Sequence, residues 1–236
     1  MTPGVLYLIP TTLGDCALSQ VLPEGNNSII KELKVFIVEN IRTARRFLKQ
    51  VDRTINIDEL LFFELNEHTD LNQISSYLEP LQKGQNIGII SEAGCPAIAD
   101  PGADIVALAQ AKNIKVVPLV GPSSILLSLM ASGFNGQSFA FHGYLPIDKA
   151  QRSEKLKQLE RRIYNEHQTQ LFIETPYRNN QLLEELLKSL QPQTKVCVAV
   201  DITSRDEYIR TKTVKEWKST PTPELHKRPC IFLIYK

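Results

Sequence analysis

Three stretches of this chain gather side chains able to do chemistry, and each follows an apolar run. ENIR (39–42) follows VFIV and sets Glu39 beside Arg42. ETPYR (174–178) follows QLFI and repeats the pairing with Glu174 and Arg178. SEAGCPAIADPG (91–102) follows IGII and carries Glu92 and Asp100 among small residues. A placed carboxylate can take a proton from a reacting group. An arginine fork suits a phosphate or carboxylate. Each stretch also has a plain structural reading: an ion pair at a helix start, or Asp100 and Ser91 as caps.

The 91–102 loop is unusual in composition. Gly94 and Gly102 allow close backbone approach or a positive φ, and Pro96 and Pro101 restrict the path. Small side chains leave backbone N–H and C=O groups open to a ligand. PTTLGD (10–15) and GPSS (121–124) are of the same kind, and Ser123 and Ser124 stand where a helix starts. In an open α/β sheet ligands bind beyond the carboxyl ends of the strands. These loops therefore predict a ligand site there.

Several chemistries lack their residues. No GxxxxGK[ST] and no strand-linked GxGxxG is present, which ranks nucleoside triphosphates and nicotinamide dinucleotides low. GxSxG and HExxH are absent, and His68, His142, His167 and His226 are scattered, so no metal is expected. The formal net charge of +1 gives no global field toward nucleic acid or membrane. Local basic faces remain: Arg42, Arg45, Arg46 and Lys49, and Lys149, Arg152, Lys155, Lys157, Arg161 and Arg162. The four cysteines form no CxxC pair and read as reduced thiols of a cytoplasmic protein. MTPGVLYLIP lacks a basic stretch and its apolar run is short, so neither signal peptide nor membrane span is expected.

The elements that must position these loops alternate in type over the first half. Strands are predicted at 5–9, 35–38, 60–65, 87–90 and 114–120. Helices are predicted at 41–50, 70–81 (capped by Asp70, with Leu71, Ile74, Tyr77, Leu78 and Leu81 in one stripe) and 103–112. Residues 19–34 read as loop plus a short helix. This order predicts a mostly parallel, doubly wound sheet. After Gly121-Pro122 the texture changes. Helices are expected at 123–132, 149–166 (one-sided and exposed) and 178–190. Strands are expected at 138–146, 170–175, 195–203, 207–217 and 230–236, with antiparallel pairing of 195–203 and 207–217. The expected fold is thus α/β, with an N-terminal domain at 1–118 and a mixed-sheet C-terminal domain at 119–236.

Taken together, GVLYLIPTTLGD, SEAGCPAIADPG, VPLVGPSS, SFAFHGYLP and ETPYR occur in an order that resembles the tetrapyrrole methylase superfamily. The similarity is greatest to its branch acting on the ribose 2′-hydroxyl of small-subunit ribosomal RNA. The resemblance spans nearly the whole chain, and 91–102 is its most specific part. It implies S-adenosylmethionine as cofactor, no metal, and a homodimer. It implies cofactor contacts from Pro10, Ser91, Glu92, Ala93, Gly94, Ile98, Ser123 and Ser124, with GYLP (143–146) closing the site. The chain departs from the family pattern at PTTLGD for PTPIGN, ENIR for EDTR and ETPYR for ExxHR. Asn40 thus replaces an acid, and Tyr177 a histidine.

Methyl transfer from a sulfonium disperses charge, so the protein mainly has to align donor and acceptor. A ribose hydroxyl also needs a base. The expected catalytic group is Glu39, Arg42 and Asp100: Glu39 and Asp100 as candidate bases, Arg42 (with Arg178) on a phosphate of the acceptor. RNA of the small ribosomal subunit is the expected partner. Two alternatives stay open, a small-molecule acceptor such as a tetrapyrrole and a cofactor-binding relative with reduced catalysis.

Overall fold

The computed structural model describes residues 2–66, 69 and 73–236. The chain forms two compact units, Met1–Ser123 and Ser124–Lys236. Each has its own sheet and core.

The first unit runs β1 (Leu6–Ile9), α1 (Leu18–Val21), α2 (Glu24–Glu32), β2 (Val35–Val38), α3 (Ile41–Val51), β3 (Leu61–Glu64), α4 (Glu79–Gln82), β4 (Ile87–Ile90), α5 (Gly102–Ala111) and β5 (Val116–Pro118). Its strands lie in the order β3-β2-β4-β1-β5, and every neighbouring pair is parallel. The two faces are covered separately, because strand side chains alternate. Ile9, Phe36 and Val38 pack with Ile30, Phe47 and Leu48 of α2 and α3. Leu6, Ile37 and Ile89 pack on the other face with Leu78, Leu81, Ile105 and Ala109. This is the doubly wound sheet that the alternation predicted.

Two features position the loops. Ile9 pairs with Ile90, and Val38 pairs with Ile90, so β1, β2 and β4 end level. The residues that follow are Pro10, Glu39 and Ser91. In addition, the chain leaves β1 for β2 on one side and leaves β4 for β5 on the other. The gap between β1 and β4 is therefore a topological switch point, where such sheets bind ligands.

The second unit runs α6 (Ser124–Ser132), β6 (Phe139–Tyr144), α7 (Lys149–Glu166), β7 (Thr169–Ile173), α8 (Asn179–Ser189), β8 (Lys195–Val200), β9 (Tyr208–Thr213), α9 (Val214–Lys218) and β10 (Cys230–Tyr235). The sheet order is β6-β7-β10-β8-β9. Only β6 and β7 pair in parallel, so the sheet is mixed, and β8 and β9 pair antiparallel as expected. Leu156, Leu159 and Ile163 of α7, the leucine face of α8 and Trp217 bury one side of it.

Several expectations change. Residues 207–217 are not one strand. Thr213 accepts from the Glu216 N–H while Glu216 reaches back to the Thr213 N–H, and this capping box starts α9. Residues 19–34 are mostly helical, as α1 and α2. The 70–81 helix is a 3-10 turn at Ile74–Leu78 followed by α4, and Ile74, Leu78 and Leu81 are buried. Its expected cap Asp70 and its Leu71 lie outside the described residues. Helix α7 is one-sided, but Arg152 does not belong to its exposed basic face. Arg152 is buried, pairs with Glu185 at 2.6 Å and donates to the carbonyls of Pro146 and Ile147. An arginine with those partners is structural.

Among the described residues no helix is long and apolar enough to cross a membrane. None of their acids, histidines and cysteines cluster as a metal site.

Candidate functional site

The loops after β1 and β4 and the segment after β5 are knitted together in the first unit. The Thr11 N–H donates to the Gly94 carbonyl at 2.9 Å. Cys95 Sγ lies 3.4 Å from the Pro122 carbonyl. A Cβ on Gly121 would stand 2.3 Å from Pro10 Cβ, so no larger residue fits there. Pro10, Gly94 and Gly121 thereby form one continuous backbone floor at the switch point.

The 91–102 loop holds a conformation its side chains do not favour. Gly94 has φ +72°, and the non-glycine residues Ala97 and Ala99 have φ 66° and 62°. Each such residue costs about 1–2 kcal/mol relative to an ordinary backbone. Asp100 supplies compensation: its carboxylate accepts from the Ala97 N–H at 3.0 Å and the Gly102 N–H at 2.7 Å. Both Ala97 and Ala99 flank Ile98, whose side chain is exposed. Gly102 has an ordinary helical start, and a Cβ there would meet Asp100 Oδ1 at 2.8 Å. It serves the Asp100 staple rather than a positive φ.

Glu39 turns to the same loop. One of its carboxylate oxygens accepts from the Glu92 N–H at 3.0 Å. Burial pushes its carboxyl above the ordinary 4.5, and the carboxylates of Asp100 and Glu92 add to that, while the Glu92 N–H opposes it. Asp100 is also raised, first by burial, against the opposing N–H donors of Gly102 and Ala97. Burial and neighbouring carboxylates both disfavour the charged form. Ser91 is 6% exposed, and its Oγ is buried without a hydrogen-bond partner among the described residues.

Helix α3 opens beside these groups. Asn40 is its N-cap, with Oδ1 accepting from the N–H groups of Arg42 and Thr43. The Thr43 hydroxyl donates to Glu92. The helix contains no acid. Its Ala44, Phe47 and Leu48 are buried, and Arg42, Arg45, Arg46 and Lys49 are exposed. Arg45 lies over the Phe62 ring at 5.5 Å.

In the second unit, Glu174 is buried and pairs with Arg178 at 2.7 Å. Tyr177 is exposed, with its ring edge-on to His226. Gly143 takes φ +63° where the β6–β7 register shifts. Ser123 ends the first unit and Ser124 begins α6.

The structure brings Pro10, Glu39, Ser91, Glu92, Gly94 and Asp100 to one end of the first sheet. It also shows partners that spacing alone missed. Thr43 and Glu92 are 49 residues apart, and Glu39 and Glu92 are 53 apart. The only hint available was that ENIR and SEAGCPAIADPG each follow a buried strand.

Strained, small-residue loops at a switch point stand where an α/β sheet takes a ligand. Residues 12–218 match the family of Tetrapyrrole (Corrin/Porphyrin) Methylases, and the chain belongs to it. It is a methyltransferase, with S-adenosylmethionine as the methyl donor. Ribosomal RNA small subunit methyltransferase I of Buchnera aphidicola subsp. Schizaphis graminum is 28% identical over 98% of this chain and 78% of its own. The protein of that name from Escherichia coli O157:H7 is 30% identical over 90% of this chain and 70% of its own. Among solved structures, the methyltransferase CobJ superposes with a TM-score of 0.65 at 16% identity, covering 99% of this chain and 94% of its own. Uroporphyrin-III-C-methyltransferase from Thermus thermophilus gives 0.55 at 16%, over 99% and 92%.

The residues present suit the donor. The floor of Pro10, Gly94 and Gly121 excludes side chains, and Ser91 Oγ is an unsatisfied buried polar atom. Glu39, Glu92 and Asp100 bring carboxylates to this end of the sheet, and carboxylates attract a positive sulfonium.

Proposed function

We propose that the chain methylates the ribose 2′-hydroxyl of a nucleotide in small-subunit ribosomal RNA. The observation that carries the RNA part of this reading is the similarity to relatives named Ribosomal RNA small subunit methyltransferase I over almost the full chain, and the ribose hydroxyl is what the family resemblance of the loop motifs implies. The acid-free basic face of α3, beside the loop cluster, supports an acceptor that carries phosphates.

Pro10, Ser91, Glu92, Ala93, Gly94 and Ile98 would hold the donor, through backbone groups and small side chains that leave its methyl uncrowded. Ser123, at the end of the first unit, would contribute a hydroxyl. When bound, S-adenosylmethionine supplies an electrophilic methyl carbon. Glu39 would serve as base and take the proton of the acceptor hydroxyl as that oxygen accepts the methyl. Its raised affinity for a proton matches that task. Asp100 is already engaged by two N–H donors and serves to hold the loop. Arg42 would meet a phosphate of the acceptor. Asn40 caps α3, and an aspartate would accept the same two N–H bonds. The ENIR sequence therefore keeps the helix start intact, which favours an active enzyme over a reduced relative.

A second copy of the chain is the expected partner. Leu126 and Met130 stand one turn apart on α6 and are 50% and 78% exposed, an apolar pair that association would cover. Free thiols at all four cysteines agree with a cytoplasmic location.

The test is direct. Purified protein is incubated with methyl-labelled S-adenosylmethionine and small ribosomal subunits lacking the modification. Label in a ribose of the RNA is the expected outcome. Donor binding with no label in RNA, but label in a tetrapyrrole, would move the acceptor to the other branch of the family.

A further inference from the structure

Between α3 and the loops after β1 and β4 lies a pocket of about 160 Å3. A space of that order accommodates a sugar ring. Thr11, Thr12, Thr43 and Ser91 bring hydroxyl-bearing side chains to its lining, with Arg46 and Glu92 beside them. Ser91 and Glu92 are donor residues on the reading above, so donor and acceptor would meet at them. A wall of neutral hydroxyls matches a polyol, since each can donate or accept. The pocket also meets the reacting machinery, because Glu92 lines it and its N–H is held by Glu39. Arg46 is exposed on α3 and can turn its fork to a phosphate at the rim.

We propose that this pocket receives the ribose of the target nucleotide, and that Arg46 grips the phosphate next to it. The assignment rests on the ribose-methylating reading above and adds where the acceptor sits. It makes Arg46 different in kind from Arg45, which carries the same charge on the same helix but lies over Phe62 and does not line the pocket.

The experiment compares Arg46→Ala, Arg45→Ala and Thr12→Leu in the full chain. Transfer of label to small ribosomal subunits is measured together with donor affinity by calorimetry. Arg46→Ala should lower kcat about 10–100-fold, because a displaced ribose loses alignment, and Arg46→Lys should restore part of it. Thr12→Leu, which fills the pocket, should lower kcat similarly. Donor affinity should stay unchanged in all. Arg45→Ala should raise KM for the subunit by about threefold or less, with kcat intact, as expected of a screened surface charge. Equal behaviour of Arg46→Ala and Arg45→Ala would overturn the assignment, since both positions are exposed and their variants fold. So would loss of donor binding in Thr12→Leu, which would give the pocket to the donor. Wild-type protein that labels no RNA removes the ribose reading and the subsite together. Wild-type labelling with the outcomes just described removes the subsite alone.

Discussion

Glu39 is where burial and chemistry pull against each other. Its carboxyl sits above its ordinary range because burial and the nearby carboxylates disfavour its charge. A group whose folded pKa lies above its unfolded value binds its proton more tightly in the folded chain. Stability is therefore lost as pH rises from the unfolded value near 4.5 through the folded one. Turnover moves the opposite way over the same window, because a base must be deprotonated. Glu39→Gln is expected to cut methyl transfer by about 10²–10⁴-fold. Donor affinity should hold, and thermal stability at neutral pH should not fall. Calorimetry and a thermal melt beside the transfer assay check this, and full activity in the Gln variant would remove Glu39 from the mechanism. The acid itself was legible, because it follows a buried strand. Its partner was not, because a hydrogen bond across 53 residues leaves no local pattern.

The elements divide by how their ends are defined. VFIV, IGII and 149–166 match β2, β4 and α7 because apolar runs and helical spacing both stop at clear breaks. The 207–217 stretch misleads because its β-branched residues continue up to the cap, although Thr-x-x-Glu at 213–216 was itself a helix-start signal. Arg152 misleads in another way. On a charged helix nothing marks one arginine for burial until Glu185 of α8 is seen opposite it. Asn40 shows a departure from the family pattern that the element explains. Asn40→Ala should destabilise the protein by about 1 kcal/mol through loss of the cap. Asn40→Asp should keep that stability, with a few tenths more from the helix dipole. Urea unfolding measures both. A large change of transfer rate in the Asp variant, at unchanged stability, would show that position 40 does more than cap.

At the scale of the whole molecule, the order of elements predicted a parallel sheet followed by a mixed one, and both are present. Helix spacing misleads about the face of α6 that stays uncovered, because Ser124, Ser128 and Ser132 recur every fourth residue and yet Ser128 and Ser132 are buried. The structure leaves Leu126 and Met130 outward. If a second copy covers them, Met130→Glu should shift the protein toward the monomer in light scattering while leaving the fold intact. An unchanged dimer mass would place the seam elsewhere, and a monomeric wild type would remove the dimer. The level ending of β1, β2 and β4 has a consequence of a different sort. The segments that depart from those three ends are separate stretches of sequence that meet again at few points, Thr11 with Gly94 and Glu39 and Thr43 with Glu92. On the reading proposed above, drift or engineering along α3 beyond Thr43 can retune what the enzyme acts upon, provided that the Glu39 and Thr43 bonds to Glu92 are kept. A lineage built on this sheet can change acceptors without having to reinvent its grip on the donor.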